Sequence, residues 1–369
     1  MNILIAATHL RRPNGGVCTH ILDLCKEFVK NHKVVLVADG TDYLPQIQQI
    51  PGLIYVDLPF DAMEANKLTM FKCRRQLAKL CKEHKIDIIH LHGQRLIPVA
   101  WMLRMFNRIP FLWTNHIDAI PNHQLMAKMW KIMRFPIISV SRELKLDLIN
   151  RLNIDERYIT VVTNGVDLSA LQPLTEDEKA AIREKFGVTP GAYVISEVAR
   201  LTPVKGQHLI LQSVHTLMQK HPQLNLQILL AGTGDNEWFE KNVLNRIPEL
   251  GVNCRYLGYA NPREVYGISD LAVMPPFHEG FLISSLEAFS MHCPVVRSNT
   301  PGYTEMLETA LIWPLKQPEK LPELIEYAIF NPEKMQQMAD RGAEDVARRF
   351  TKEITAKNTL AVYKRILGE

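Results

Sequence analysis

The feature that most constrains this 369-residue chain is a rhythm: short apolar runs rich in β-branched residues alternate with amphipathic stretches, in both halves. Strands buried on both faces of a parallel sheet read as near-continuous apolar runs, because helices cover them from either side. In the first half such runs fall at about Asn2–Thr8, Lys33–Ala38, Ile86–Leu91, Phe111–Thr114, Ile137–Val140 and Ile159–Thr163. In the second they fall at about Tyr193–Val198, Leu226–Ala231, Cys254–Leu257, Leu271–Met274, Val295–Arg297 and Leu311–Trp313. Segments between them, Gly206–Lys220 and Leu321–Ile329 among them, carry helical periodicity. The pattern predicts two α/β, doubly wound, Rossmann-like domains, and the length suits two domains better than one core. A ligand is then expected in the cleft at the carboxyl ends of the two sheets. The turn and loop Asn164–Pro173, followed by the polar helix Glu176–Phe186, mark the linker. Residues 1–165 and 166–351 are therefore expected to form the two domains.

Bulk properties exclude several classes. No apolar run approaches the roughly 20 residues that cross a bilayer. The apolar start is short, has no basic leader and runs into Arg11 and Arg12, so a buried first strand is expected rather than a secretory signal. Six cysteines with no C-x-x-C pair point to reduced, buried thiols in a cytoplasmic protein and to no zinc site. The net charge of +4 hides an asymmetry: residues 1–165 hold 22 Lys+Arg against 14 Asp+Glu (+8), residues 166–369 hold 21 against 25 (−4). The first domain is expected to meet an anionic partner, and no aromatic or motif pattern makes that partner nucleic acid.

Four strand-to-helix turns carry candidate chemistry. In Pro13-Asn-Gly-Gly-Val17, opening the helix Val17–Lys30, Gly15 and Gly16 would let backbone N–H groups approach a phosphate or sugar. The bland reading is a plain βα turn, and the G-x-G-x-x-G spacing of a nicotinamide site is missing. In Val198-Ala-Arg-Leu-Thr-Pro-Val-Lys-Gly206, Arg200 and Lys205 would place two cations where a diphosphate needs neutralising without a metal. Leu230-Ala-Gly-Thr-Gly-Asp235 is either a phosphate approach or a tight turn. In Pro275–Ala288, Glu279 follows a strand and Glu287 lies eight residues on, along the next helix. A carboxylate there would accept both ribose hydroxyls. The N–H groups of Phe281, Leu282 and Ile283 open that helix and suit an anion. A carboxylate on so apolar a helix is costly without a partner, which favours a function.

Taken together these turns resemble the family-four retaining glycosyltransferases, whose GT-B architecture sets two Rossmann-like domains across a cleft. The likeness spans nearly the whole chain. It rests on Glu279 and Glu287 as the E-x7-E pair, Arg200 and Lys205, the A-G-x-G turn Ala231–Gly234, Leu257-Gly258, and Gly15-Gly16. Asp87–His92, Ser139–Ser141, Thr114-Asn-His116 and Asn164–Asp167 add strand ends of the same kind. Leu282 and His292 depart from it, standing where relatives often carry glycine, and His292 must take a helix-end geometry that glycine takes more easily.

The resemblance implies metal-independent, hexosyl-type transfer from a nucleotide-diphosphate sugar, with retention and with no cofactor. Arg200, Lys205 and the helix N-terminus near Leu282 would stabilise the leaving diphosphate. Glu279 would hold donor-sugar hydroxyls, Glu287 the ribose, and His116 the donor sugar near the reacting carbon. Gly15, Gly16, Gly232, Gly234, Leu257, Gly258, Gly280, Phe281, Leu282 and Ile283 would complete the donor site. The helix near Ile354–Ile366 (about 352–369) is expected to return to the first domain. Three stretches there, Lys67–Lys85, Trp101–Phe106 and His123–Phe135, interleave basic and apolar residues. They suit either a solvated helix face or an anionic membrane surface. The expected acceptor is a glycan or lipid-linked glycan of bacterial surface-polysaccharide or lipopolysaccharide assembly, at the inner face of the cytoplasmic membrane. A soluble or protein acceptor, or a silent nucleotide- or glycan-binding subunit, are the alternatives.

Overall fold

The computed structural model describes residues 1–8, 10–11, 15–60, 67–117, 123–234 and 236–369. The chain divides into two compact units, Met1–Asn164 with Lys352–Glu369, and Gly165–Thr351. Among the described residues no helix is long and apolar enough to cross a membrane.

The first unit is built on strands β1 (Asn2–Ala6), β2 (Lys33–Ala38), β3 (Leu53–Asp57), β4 (Ile88–Leu91), β5 (Phe111–Asn115), β6 (Ile137–Ser139) and β7 (Ile159–Val161). They form one seven-stranded sheet in the order β3-β2-β1-β4-β5-β6-β7, every pair parallel. The order reverses between β1 and β4, which places the switch point at the ends of those strands. β3 is absent from the expected strands. It is an edge strand whose first four residues are only half-buried, and little helical sequence separates it from β2. On one face Ile3, Ile5 and Val34 pack against Cys18, Ile21, Cys25 and Phe28 of the helix Gly15–Phe28. The C-terminal helix Lys352–Leu367 adds Ala356, Val362 and Tyr363 to that same core. On the other face Leu4, Val35, Ile89 and Phe111 meet Leu77, Leu103 and Trp130.

The second unit holds β8 (Tyr193–Val198), β9 (Leu226–Ala231), β10 (Cys254–Tyr256), β11 (Leu271–Met274), β12 (Val295–Ser298) and β13 (Leu311–Trp313). Its sheet, also parallel, runs β10-β9-β8-β11-β12-β13, with the reversal between β8 and β11. Both sheets are thus Rossmann-like. The helix Glu176–Lys185 is started by a capping box in which Thr175 and Glu178 satisfy each other's backbone. Arg263 then binds Glu178 together with the carbonyl oxygens of Gln172 and Pro173, fixing the loop after the linker turn. None of the six cysteines is in a disulfide, and all but Cys254 are buried.

Candidate active-site groups in each unit

In the second unit the switch point collects the expected residues of three turns. β8 ends at Val198, and the chain passes Arg200 into a tight turn, Pro203–Lys205, before the helix Gln207–Lys220. Gly206 joins turn to helix at φ +79°, with its Cβ position 2.5 Å from the Pro275 carbonyl oxygen, so a side chain is excluded there. That contact binds the Lys205 turn to the loop after β11, as does the Phe277 amide donating to the Val204 oxygen at 2.7 Å. Lys205 Nζ forms an ion pair with Glu279 Oε1, both side chains being mostly buried (12% and 17% exposed). A pair so sheltered holds each charge in place more firmly than a surface pair does.

The helix Ile283–Ser290 starts four residues beyond Glu279, with Leu282 as its N-cap and no side chain capping its first N–H groups. Those donors, carried on a positive helix end, suit an anion. The Gly280 amide donates to the Glu279 carboxylate at 3.3 Å. Phe281 and Leu282 bury their side chains (3% and 4% exposed), so they present backbone rather than side chain at this helix end. Glu287 lies in the same helix, half-buried.

The glycine turn after β9 has a different explanation from phosphate approach. Gly232 sits at φ +145° with its Cβ position 1.8 Å from the Ala199 carbonyl oxygen, and that of Gly234 falls 2.6 Å from the Leu201 oxygen. These glycines let β9's end lie flat on the strand end that carries Arg200. The Leu201 amide donates to Thr233, and the Gly232 amide to the Gly258 oxygen at 2.8 Å. Leu257-Gly258 is thereby tied to the same cluster. Asp235 lies outside the described residues.

Sequence reasoning did not select the polar groups beneath this cluster. Glu197, the penultimate residue of β8, is 2% exposed, and its Oε2 has no hydrogen-bond partner. Burial raises its pKa well above the ordinary carboxyl value, against the pull of Lys205 and Gln207, and so favours the protonated acid. The Ser196 hydroxyl, Thr202 Oγ1 and Gln207 Oε1 are likewise buried and unpartnered. So many unsatisfied groups at one strand end mark a place for ligand or water. A glutamate inside an apolar strand run was the one readable signal. Arg297, fully buried at the end of β12, donates to the carbonyl oxygens of Ser298 and Thr300 and so shapes the turn over Phe281. Beside the Lys205 turn opens a groove of about 420 Å³, with walls from Val204, His208, Trp238 and Phe277.

In the first unit the structure brings together histidines that are far apart in sequence. Gly15 and Gly16 open the helix Gly15–Phe28, Gly15 at φ +41°; Pro13 and Asn14 lie outside the described residues. His20 comes from that helix's second turn, His92 follows β4, and His116 follows β5. His116 Nε2 and His92 Nδ1 share a hydrogen bond of 2.9 Å. The His90 ring lies 4.1 Å from that of His92, centre to centre and tilted by 42°, and bonds Tyr363 and Thr114, each at 2.6 Å. Burial lowers the pKa of His20 to about 4, and those of His90, His92 and His116 well below the ordinary value. Burial thus favours the neutral imidazole at His116, and its hydrogen bond with His92 couples the tautomers of the two rings.

The three basic stretches prove mixed. Leu77, Met126 and Trp130 are core residues, while Leu68, Phe71, Met105, Phe106 and Ile132 are exposed by 54–73%. Arg74 stacks on Phe106, and Arg104 donates to the Met133 and Arg134 carbonyl oxygens, so the three helices form one surface.

Two parallel-sheet units, one with a paired Lys–Glu and an uncapped helix end at its switch point, define the class: a two-domain α/β protein of the Rossmann type. Residues 14–170 match the model described as Glycosyltransferase Family 4, and residues 178–345 that of Glycosyl transferases group 1. The chain resembles the family-four glycosyltransferases along most of its length and has the GT-B fold. An uncharacterized glycosyltransferase of Methanocaldococcus jannaschii is 26% identical over 95% of this chain and 94% of its own length. A D-inositol 3-phosphate glycosyltransferase of Corynebacterium efficiens is 28% identical over 58% of this chain and 56% of its own. Among solved structures a glycosyltransferase of Rickettsia africae superposes with TM-score 0.86 at 20% identity, covering 99% of this chain and 98% of that one. Anabaena HepE, in complex with UDP and glucose, gives 0.83 at 18% identity, covering 98% and 99%.

Proposed function

We propose that the chain transfers a hexosyl group, with retention and without a metal, from a nucleoside-diphosphate sugar to a glycan or lipid-linked acceptor of bacterial surface-polysaccharide assembly. The carrying observation is the buried Lys205–Glu279 pair beside the uncapped end of the helix Ile283–Ser290. Charge grows on the leaving diphosphate as the sugar–phosphate bond breaks, and donors fixed before reaction stabilise it without reorganising. Arg200, Lys205 and the first helix N–H groups take that role. Glu279 exchanges part of its bond to Lys205 for sugar hydroxyls, and Glu287 accepts from the ribose. His116, neutral, hydrogen-bonds the donor sugar near the reacting carbon. Gly15 and Gly16 contribute backbone N–H groups to donor binding, while Gly232, Gly234, Leu257 and Gly258 shape the nucleotide's surroundings. UDP is the first nucleotide to try, since HepE was crystallised with UDP and with UDP-glucose. Titration calorimetry with UDP, GDP, ADP and CMP should give one preferred nucleotide in the absence of any divalent ion. Lys205→Ala should weaken it by roughly ten-fold to a hundred-fold, on the order of 1.4–3 kcal/mol. Equal affinity in wild type and variant would sink the assignment.

For the acceptor side, the exposed apolar residues Leu68, Phe71, Phe106 and Ile132 among Lys72, Arg75, Lys128 and Lys131 fit an anionic bilayer surface. A phosphorylated soluble acceptor, of the kind named for the inositol relatives, also suits the basic unit. Sedimentation with phosphatidylglycerol vesicles separates the two. Binding that falls with salt and is lost in Phe71→Asp/Ile132→Asp supports the membrane, and vesicle-free supernatants at low salt exclude it.

A further inference from the structure

Each member of the His20, His92, His116 triad offers one nitrogen, and these atoms lie within 4.8 Å of one another. All three belong to the first unit and come from the helix Gly15–Phe28 and from the ends of β4 and β5, which are neighbours in the sheet. Ring centroids are 5.0 Å apart for His20 and His116, 5.2 Å for His92 and His116, and 5.5 Å for His20 and His92. Three imidazoles bound tetrahedrally to one ion at about 2.0–2.1 Å place their centroids roughly 5 Å apart. The ring centres therefore stand near the spacing of a shared ion, and the nitrogens, within 4.8 Å of one another, have a short distance to close on it. His92 Nε2 is buried with no hydrogen-bond partner, a state that a buried polar atom rarely keeps. His90, packed against His92 and held by Tyr363 and Thr114, limits how far that ring can turn.

We propose that His20, His92 and His116 form a three-imidazole site for a borderline transition-metal cation, Zn²⁺ foremost, and that its occupancy inhibits transfer. The donor set excludes Mg²⁺ and Ca²⁺, which take oxygen ligands, and favours zinc, copper or nickel. Three ligands leave a fourth position open, and His116 is the one of the three that is only partly buried. The inhibitory part rests on the proposed function: an ion on His116 takes the lone pair, or fixes the ring, that would otherwise meet the donor sugar. Zinc is here a ligand that opposes the reaction, and the transfer itself needs none.

Tag-free, EDTA-washed protein titrated calorimetrically with ZnCl₂ should bind one ion per chain. His20→Gln, His92→Gln and His116→Gln should each weaken that binding by at least about ten-fold. Circular dichroism and an unchanged thermal unfolding midpoint in EDTA would show that each variant is folded. X-ray absorption at the zinc edge on wild type needs no variant and should show imidazole nitrogen without sulfur, and CoCl₂ should give the intense visible bands of a tetrahedral site. No stoichiometric zinc, sulfur among the ligands, or equal affinity in all three variants overturns the site. Once a donor is known, micromolar zinc should suppress transfer and EDTA restore it, and stoichiometric zinc with full activity overturns the inhibition. If no donor supports transfer at all, the proposed function fails while the zinc result still stands.

Discussion

Gly232 and Gly206 show how single residues hold the donor-side turns together. At Gly232 the backbone turns at φ +145° under the Ala199 carbonyl oxygen, and neither the angle nor the 1.8 Å gap admits a methyl group. Gly232→Ala should lower stability by about 3 kcal/mol or more, because the strand end carrying Arg200 must lift to make room. Urea unfolding followed by circular dichroism would read this, and a change under 1 kcal/mol would mean that the turn is softer than its geometry. At this scale the sequence spoke unevenly. The A-G-x-G pattern was visible, yet its cause was not, because Ala199 lies in another strand's continuation. His292 was legible in advance as a misfit and does adopt φ +55°, with its Nδ1 2.7 Å from Asp340. Glu197 was hidden: inside Tyr193–Val198 it broke an apolar run, and nothing local tells that its neighbours would leave it neutral.

Elements were far more legible than contacts, because a parallel strand buried on both faces prints its burial directly into the sequence. β1, β2, β4 to β7 and β8 to β13 lie where the apolar runs fall, within a residue or two at their ends. β3 escaped because an edge strand needs fewer buried side chains. The helix Glu176–Lys185 illustrates the opposite case, an element set by polar residues. It buries only Ile182, so its start depends on the Thr175–Glu178 box and on Arg263. Thr175→Ala should cost about 1 kcal/mol, at the ordinary value for a lost N-cap. Hydrogen exchange should show the loss as faster exchange confined to the first turn. Unchanged exchange there would assign the helix start to Arg263 alone. The histidine triad was beyond any such reading, since His20, His92 and His116 share no spacing and meet only when helix, β4 and β5 assemble.

At the scale of the whole molecule the two units carry buried ionisable groups of opposite tendency, and this gives the chain an asymmetric response to acid. In the first unit His20, His90, His92 and His116 are folded as neutral rings, with pKa values depressed by burial. A depressed histidine leaves stability intact above the ordinary value of 6.5 and removes it as pH falls, since the unfolded chain then takes protons that the folded unit refuses. His20 alone, at about 4, withdraws on the order of 2 kcal/mol by pH 5. In the second unit Glu197 has a raised pKa, so the folded unit keeps a proton that the unfolded chain gives up. Its contribution is fullest below 4.5 and declines as pH rises. Mild acid therefore weakens the first unit and relieves the second. Between pH 7 and pH 5, amides of β1, β4 and β5 should lose protection relative to those of β8, β9 and β11, once intrinsic exchange rates are corrected. His90→Gln should flatten the loss in the first unit, and Glu197→Gln should leave it unchanged while removing the opposite slope in the second. Parallel loss of protection in both units would show that acid acts through the net charge of the chain instead of through these buried groups.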